Sequence, residues 1–180
     1  MSEILQPEQI KKEAQDAYKS GDYQAASQAF GVAAEGYRLA GDLLNAAEMD
    51  NNRSVALLKV DDPAGALCAV EGTDLVFAEA GDVRRQAMAL GNRAAALEAL
   101  DRFEEALSDY EKCAEYFKEI GEHEMRAVTL KSISTLQLRT GHSMEALASM
   151  QAGVSAIERP GLKHRLLKKL LDIPSKLLNR

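Results

Sequence analysis

Tryptophan is absent, aromatic residues make up 5% of the chain, and cysteine occurs twice in 180 residues. A core with so few large rings must be built from leucine and alanine. Cys68 and Cys113 each lack a second cysteine nearby, which excludes a Cys-x-x-Cys redox or zinc motif. Two free thiols suit a reducing compartment, so a cytoplasmic location is expected. Histidine is scarce as well. His123 precedes Glu124, but an H-E-x-x-H zinc site would need a second histidine where Ala127 stands. No G-x-x-x-x-G-K-[ST] phosphate loop occurs, and the glycines at 31, 36, 65, 72 and 153 read as lying within helices. The expectation is a protein without enzymatic activity, metal or cofactor. No apolar run reaches the length of a membrane span, and the acidic opening Met1-Ser2-Glu3 is unlike a signal peptide.

What is present is punctuation. Gly41, Gly81, Gly121 and Gly161 fall forty residues apart, and Gly21, Asp61, Asp101 and Gly141 fall midway between them on the same step. A fixed period in this range marks a stacked repeat array. Four units align without a gap, at 3–42, 43–82, 83–122 and 123–162, each divided by a turn. The columns agree in size. Ala26, Ala66, Ala106 and Ala146 are identical; Phe30, Val70, Tyr110 and Met150 are large; Ala33, Thr73, Cys113 and Gly153 are small; Tyr37, Phe77, Phe117 and Ile157 are large again. A repeating order of large and small side chains marks where one helix meets another.

Each half-unit reads as a helix. Leu90, Leu97 and Leu100 recur at helical spacing, as do Leu107, Tyr110 and Phe117. Asp62 before Pro63 predicts an N-cap with proline at the first helical position, and Asp101 with Glu104 predicts a capping box. The glycine closing each unit suits a left-handed residue. No stretch has the period-two alternation of a strand. The fold class is therefore all-α, a single domain over 1–180 with four antiparallel helix pairs.

The segments KKEAQDAYKSGDYQAASQAF, NNRSVALLKVDDPAGAL and ALGNRAAALEALDRFEEALSDYEKCAEY resemble tetratricopeptide repeats. The small residue of the first helix is met by Ala14, Ser54, Ala94 and Ser134, and the inner turn by Gly21-Asp22-Tyr23 and Asp101-Arg102-Phe103. The resemblance covers most of the chain, with a period longer than the family's usual 34 residues. It implies an α-solenoid, a right-handed superhelix whose first helices line a concave groove for a peptide or protein segment.

By match to the family, the groove-facing positions include Lys11, Lys12, Gln15, Asn51, Asn52, Lys59, Asn92, Lys131 and Arg139. With Lys19 they carry six basic side chains against two acidic ones, Glu8 and Glu48, on a chain of net charge −6. A groove of opposite sign to its host favours an acidic or carboxylate-ended partner rather than nucleic acid. Some members of the family grip a C-terminal carboxylate with a lysine and asparagines; Lys11 and Asn52 match that clamp, Gln15 replaces one asparagine, and Met88 and Asn92 stand where further cations would be. Arg53 and Arg93, at a position usually leucine, read as structural, each pairing its head with a nearby acid.

The tail departs from the pattern. Residues 163–180 carry six lysines or arginines and one aspartate, while Leu162, Leu166, Leu170 and Ile173 share one face of a helix interrupted near Pro174. The expected role is a C-terminal capping helix over the last pair. The alternative is a basic amphipathic segment that anchors the protein to an anionic membrane or to another copy.

Overall fold

The structure is a computed structural model describing residues 6–157. The described residues are helical throughout, apart from short turns. The helices are α1 (Pro7–Ser20), α2 (Tyr23–Leu39), α3 (Leu43–Lys59), α4 (Pro63–Val70), α5 (Thr73–Glu79), α6 (Val83–Ala99), α7 (Phe103–Glu119), α8 (His123–Arg139) and α9 (Ser143–Ala156). The helices pack in chain order inside two compact units, one holding α1–α6 and the other α7–α9, except that α4 and α5 pack on α3 and α6. Gly161 and the expected capping helix at 163–180 lie outside the described residues.

The turns explain the punctuation. Gly21, Gly41, Gly81, Gly121 and Gly141 all take a left-handed backbone, with φ between 70 and 84°. Asp61 and Asp101 do the same at φ 61 and 57°, although they carry a Cβ. The left-handed residue ends one helix, and the next residue caps the following one. Asp22, Asp42, Asp62 and Asp82 accept the amides of Ala25, Asn45, Gly65 and Arg85 at 2.8–3.0 Å. These bonds satisfy donors that a helix start leaves orphaned. The capping box expected at Asp101 is corrected by this geometry. Asp101 is the left-handed residue, and α7 begins at Phe103, so the cap position belongs to Arg102.

Burial follows the columns. Ala26, Ala66, Ala106 and Ala146 are buried, and so are Ala33, Thr73, Cys113 and Gly153. In the first unit Ala14 of α1, Phe30, Ala33, Ala34 and Tyr37 of α2, and Ala46, Met49 and Ala56 of α3 form one core cluster. Ala47, Phe77 and Ala89 form another, joining α3, α5 and α6. In the second unit Tyr110, Cys113 and Phe117 of α7 are buried, together with Ile133 and Leu136 of α8 and Ala146 and Val154 of α9. Alanine lets the backbones approach closely, and the few rings fill what remains.

The second pair breaks the pattern. Its second helix is cut into α4 and α5, because Gly72 takes φ 77° between them. Gly72 is therefore not inside a helix, contrary to the sequence expectation. Thr73 Oγ1 donates to the Val70 carbonyl at 2.8 Å and satisfies an acceptor that the break would otherwise leave bare. Arg93 on α6 reaches Asp74 on α5 at 3.0 Å, the pairing expected of that arginine. Arg53 lies with its guanidinium against Gly31 of α2.

Candidate functional site

The first helices of the pairs, α1, α3 and α6, carry the residues expected to face a partner. Between α1 and α3 lies a concavity of about 450 Å³ lined by Gln15, Tyr18, Lys19, Phe30, Asn52 and Val55. Phe30 is buried in the core cluster, so its ring forms an apolar floor. Gln15, Lys19 and Asn52 supply an amide, an ammonium and a second amide at the walls. Tyr18 packs edge-on against Tyr23, with ring centroids 5.2 Å apart, which holds the wall ring in place. Two amides beside an apolar floor can serve both the backbone and a side chain of an extended peptide.

Further along α3, Asn51 is buried, and its Oδ1 accepts Nδ2 of Asn92 on α6 at 2.9 Å. This amide pair ties two first helices together and leaves Asn52 for the concavity.

The acids of this face are engaged within the protein. Glu8 accepts the Tyr37 hydroxyl; burial first, and then that bond, push the Tyr37 hydroxyl up to about 12. Glu48 pairs with Arg85 at 3.3 Å, and Arg85 also holds Asp82 at 2.7 Å. The lysines are less engaged. Lys19 stands 3.5 Å from Asp16, both exposed, and Lys11 adds to the field that lowers the Asp42 carboxyl after its bonds to Asn45. Lys12 and Lys59 are exposed and form no ion pair with another described residue. The unit holding α1–α6 therefore presents a first-helix face whose acids are occupied and whose lysines reach solvent.

Lys131 and Arg139 belong to the second unit. Lys131 and Thr135 of α8 border a mostly apolar concavity of about 340 Å³, completed by Ala127, Met150, Gly153, Val154 and Ile157. Arg139 stacks its guanidinium 4.8 Å from the centre of the Phe103 ring. Among the expected residues, the structure thus gathers Gln15 and Asn52 in one concavity, joins Asn51 to Asn92, and sets Lys131 beside an apolar hollow. Tyr18 and Phe30 were not singled out as binding residues from sequence. Phe30 reads as pure core there, and only the spacing of Tyr18 three residues after Gln15 pointed to the same helix face.

Consecutive helix pairs on a forty-residue step, with a lined face on their first helices, define a helical-repeat protein of the α-solenoid class. Residues 85–158 match the tetratricopeptide repeat family. This family mediates protein–protein interaction. No curated protein matches the chain. No helix among the described residues is long and apolar enough to cross a membrane.

Proposed function

We propose that the chain is a non-enzymatic interaction module that takes an acidic or carboxylate-ended peptide segment on the face formed by α1, α3 and α6. The observation that carries this reading is the concavity uniting Gln15, Lys19 and Asn52 over the Phe30 floor. The charge of its surroundings supports it. Glu8 and Glu48 are engaged by Tyr37 and Arg85, while Lys12 and Lys59 stay exposed on the two helices that frame the concavity. An anion approaching this face meets lysines rather than carboxylates, and their field also raises its rate of encounter. Asn52 and Gln15 then hold the backbone, and Tyr18, Phe30 and Val55 contact an apolar side chain.

The test uses fluorescein-labelled peptide pools with the full-length protein. One pool is acidic with a free C-terminus, one is the same pool amidated, and one is basic. The acidic free-ended pool is expected to bind most tightly, by fluorescence anisotropy. Lys12→Glu with Lys59→Glu is expected to weaken it by about tenfold or more. The helical circular dichroism signal should be unchanged, because exposed charges contribute little to stability. Equal binding by the double variant at every salt concentration would remove this face from consideration.

A further inference from the structure

Where the second helix of one pair meets the first helix of the next, two junctions of the first unit carry charge in columns that are otherwise apolar. Asp50 of α3 stands in register with Leu90 and Leu130, both buried. Asp74 of α5 stands in register with Ala34 and Ala114, buried as well. Each acid has a base across its junction. Asp50 accepts Arg38 of α2, and Asp74 accepts Arg93 of α6 at 3.0 Å. The two carboxylates keep only 11% and 12% of their side-chain surface, so each is costly to bury without its arginine. Burial raises the Asp50 carboxyl even with Arg38 in place. Leucine and alanine at these positions would avoid that cost.

Much of the remaining buried surface does not tell the two junctions apart. α6 seats on α4 and α5 as α3 seats on α2. Ala47, Ala56 and Leu57 of α3 recur as Ala87, Ala96 and Leu97 of α6, all buried. Ala26 and Tyr37 of α2 have Ala66 of α4 and Phe77 of α5 as counterparts. The charges are crossed instead: the first junction has its acid on the first helix of a pair, the second has its base there. We propose that these crossed pairs decide which second helix each first helix accepts, so that α3 takes α2 and α6 takes α4 and α5, whether the competing helix comes from the same chain or from a second copy. Register shows what the wrong choices meet. With α2 on α6, Arg38 faces Leu90 and Arg93 faces Ala34, so two arginines come together without either buried acid. With α5 on α3, Asp50 faces Ala78 while Asp74 faces Arg53, so two buried acids share one arginine. Selectivity here comes from the penalty on the wrong partner rather than from a gain with the right one.

Refolding from urea in mixtures of isotopically light and heavy full-length chains tests the proposal. A photo-crosslinking amino acid in place of Glu35, whose carboxylate acts on Asp50, reads which first helix α2 has found. In the otherwise unaltered chain, crosslinks to α3 of the same chain are expected. A fourfold variant takes residues that other repeats carry in these columns: Arg38→Ala, Asp50→Leu, Asp74→Ala and Arg93→Ile. Its urea midpoint should equal or exceed that of the wild type, while light-to-heavy crosslinks from α2 into α6 should rise about tenfold or more. Charge reversal gives a readout that does not depend on the fourfold variant folding. Asp50→Arg should raise light-to-heavy crosslinks from α2 by a similar factor, and adding Arg38→Asp should return them to the wild-type level. Wild-type crosslinking in the fourfold variant would overturn the proposal, whatever its midpoint. So would an Asp50→Arg chain with no rise, or with a rise that Arg38→Asp does not reverse.

Discussion

Asp61 and Asp101 sit in a backbone conformation that the equivalent turns assign to glycine. A side chain in the left-handed region crowds the following carbonyl, and aspartate tolerates this only in part. Glycine relieves the crowding but also loosens the unfolded chain. The first effect is larger at φ 61°, so Asp61→Gly is expected to raise stability by about 0.5 kcal/mol in urea melts. A fall in the midpoint would show that the aspartate side chain stabilises the turn. The small-residue column of the first helices offers a second contrast. Ser134 Oγ donates to the Ala146 carbonyl at 2.8 Å, whereas Ser54 Oγ is buried with no partner among the described residues. A buried hydroxyl without a bond carries a desolvation cost, and one with a bond gives a small gain. Ser134→Ala should therefore cost about 1 kcal/mol, and Ser54→Ala should be neutral or stabilising by about as much. Equal losses at both sites would contradict the bonding seen.

The helix starts set the next scale. The amide of Arg85, and then its guanidinium, hold the Asp82 carboxyl below the usual range despite some burial. A depressed carboxylate stabilises the fold above its unfolded pKa of about 3.9 and loses that contribution as pH falls through the folded value. Asp82→Ala should thus cost about 1 kcal/mol at neutral pH, and the gap to wild type should close in acid. Melting curves across pH check this; a gap independent of pH would mean that the charge is irrelevant to the cap. Asp50 acts in the opposite sense, since burial raises its carboxyl against the pull of Arg38 and protonation then favours the folded state. Most of this architecture was legible in the sequence, because a forty-residue step returns each side chain to the same environment. The exceptions are local. Gly31, Gly36 and Gly65 stay helical while Gly72 breaks its helix, and what distinguishes Gly72 is the Thr73 hydroxyl ready to take the Val70 carbonyl. Asp101 differs from a cap by one residue, a shift that composition alone does not reveal.

Across the whole molecule, a net charge of −6 coexists with a first-helix face where lysines outnumber acids. Steering by such a face weakens as salt shortens the screening length, while a core of alanine and leucine is little affected. Raising ionic strength is therefore expected to weaken capture of the acidic peptide pool without lowering the melting temperature. Parallel losses would show that unfolding, not screening, was being measured. Gln15 and Asn52, expected on this face by match to the family, line one concavity. The engagement of Glu8 by Tyr37, Glu48 by Arg85 and Asn51 by Asn92 was not legible in the sequence, because each joins residues far apart in sequence that meet only after the helices pack.

The left-handed turn residues also make the chain a kit of interchangeable lengths. Most full helices here have 17 residues, and the turns recur at a twenty-residue spacing. Duplicating or removing forty residues keeps every column in phase and every first helix in its role. Changing the count by twenty exchanges first and second helices and sends the small and large columns to the opposite layer. A gene that grows or shrinks by the larger quantum can alter the number of first helices without redesigning any apolar contact, whereas the smaller quantum puts every downstream column out of phase.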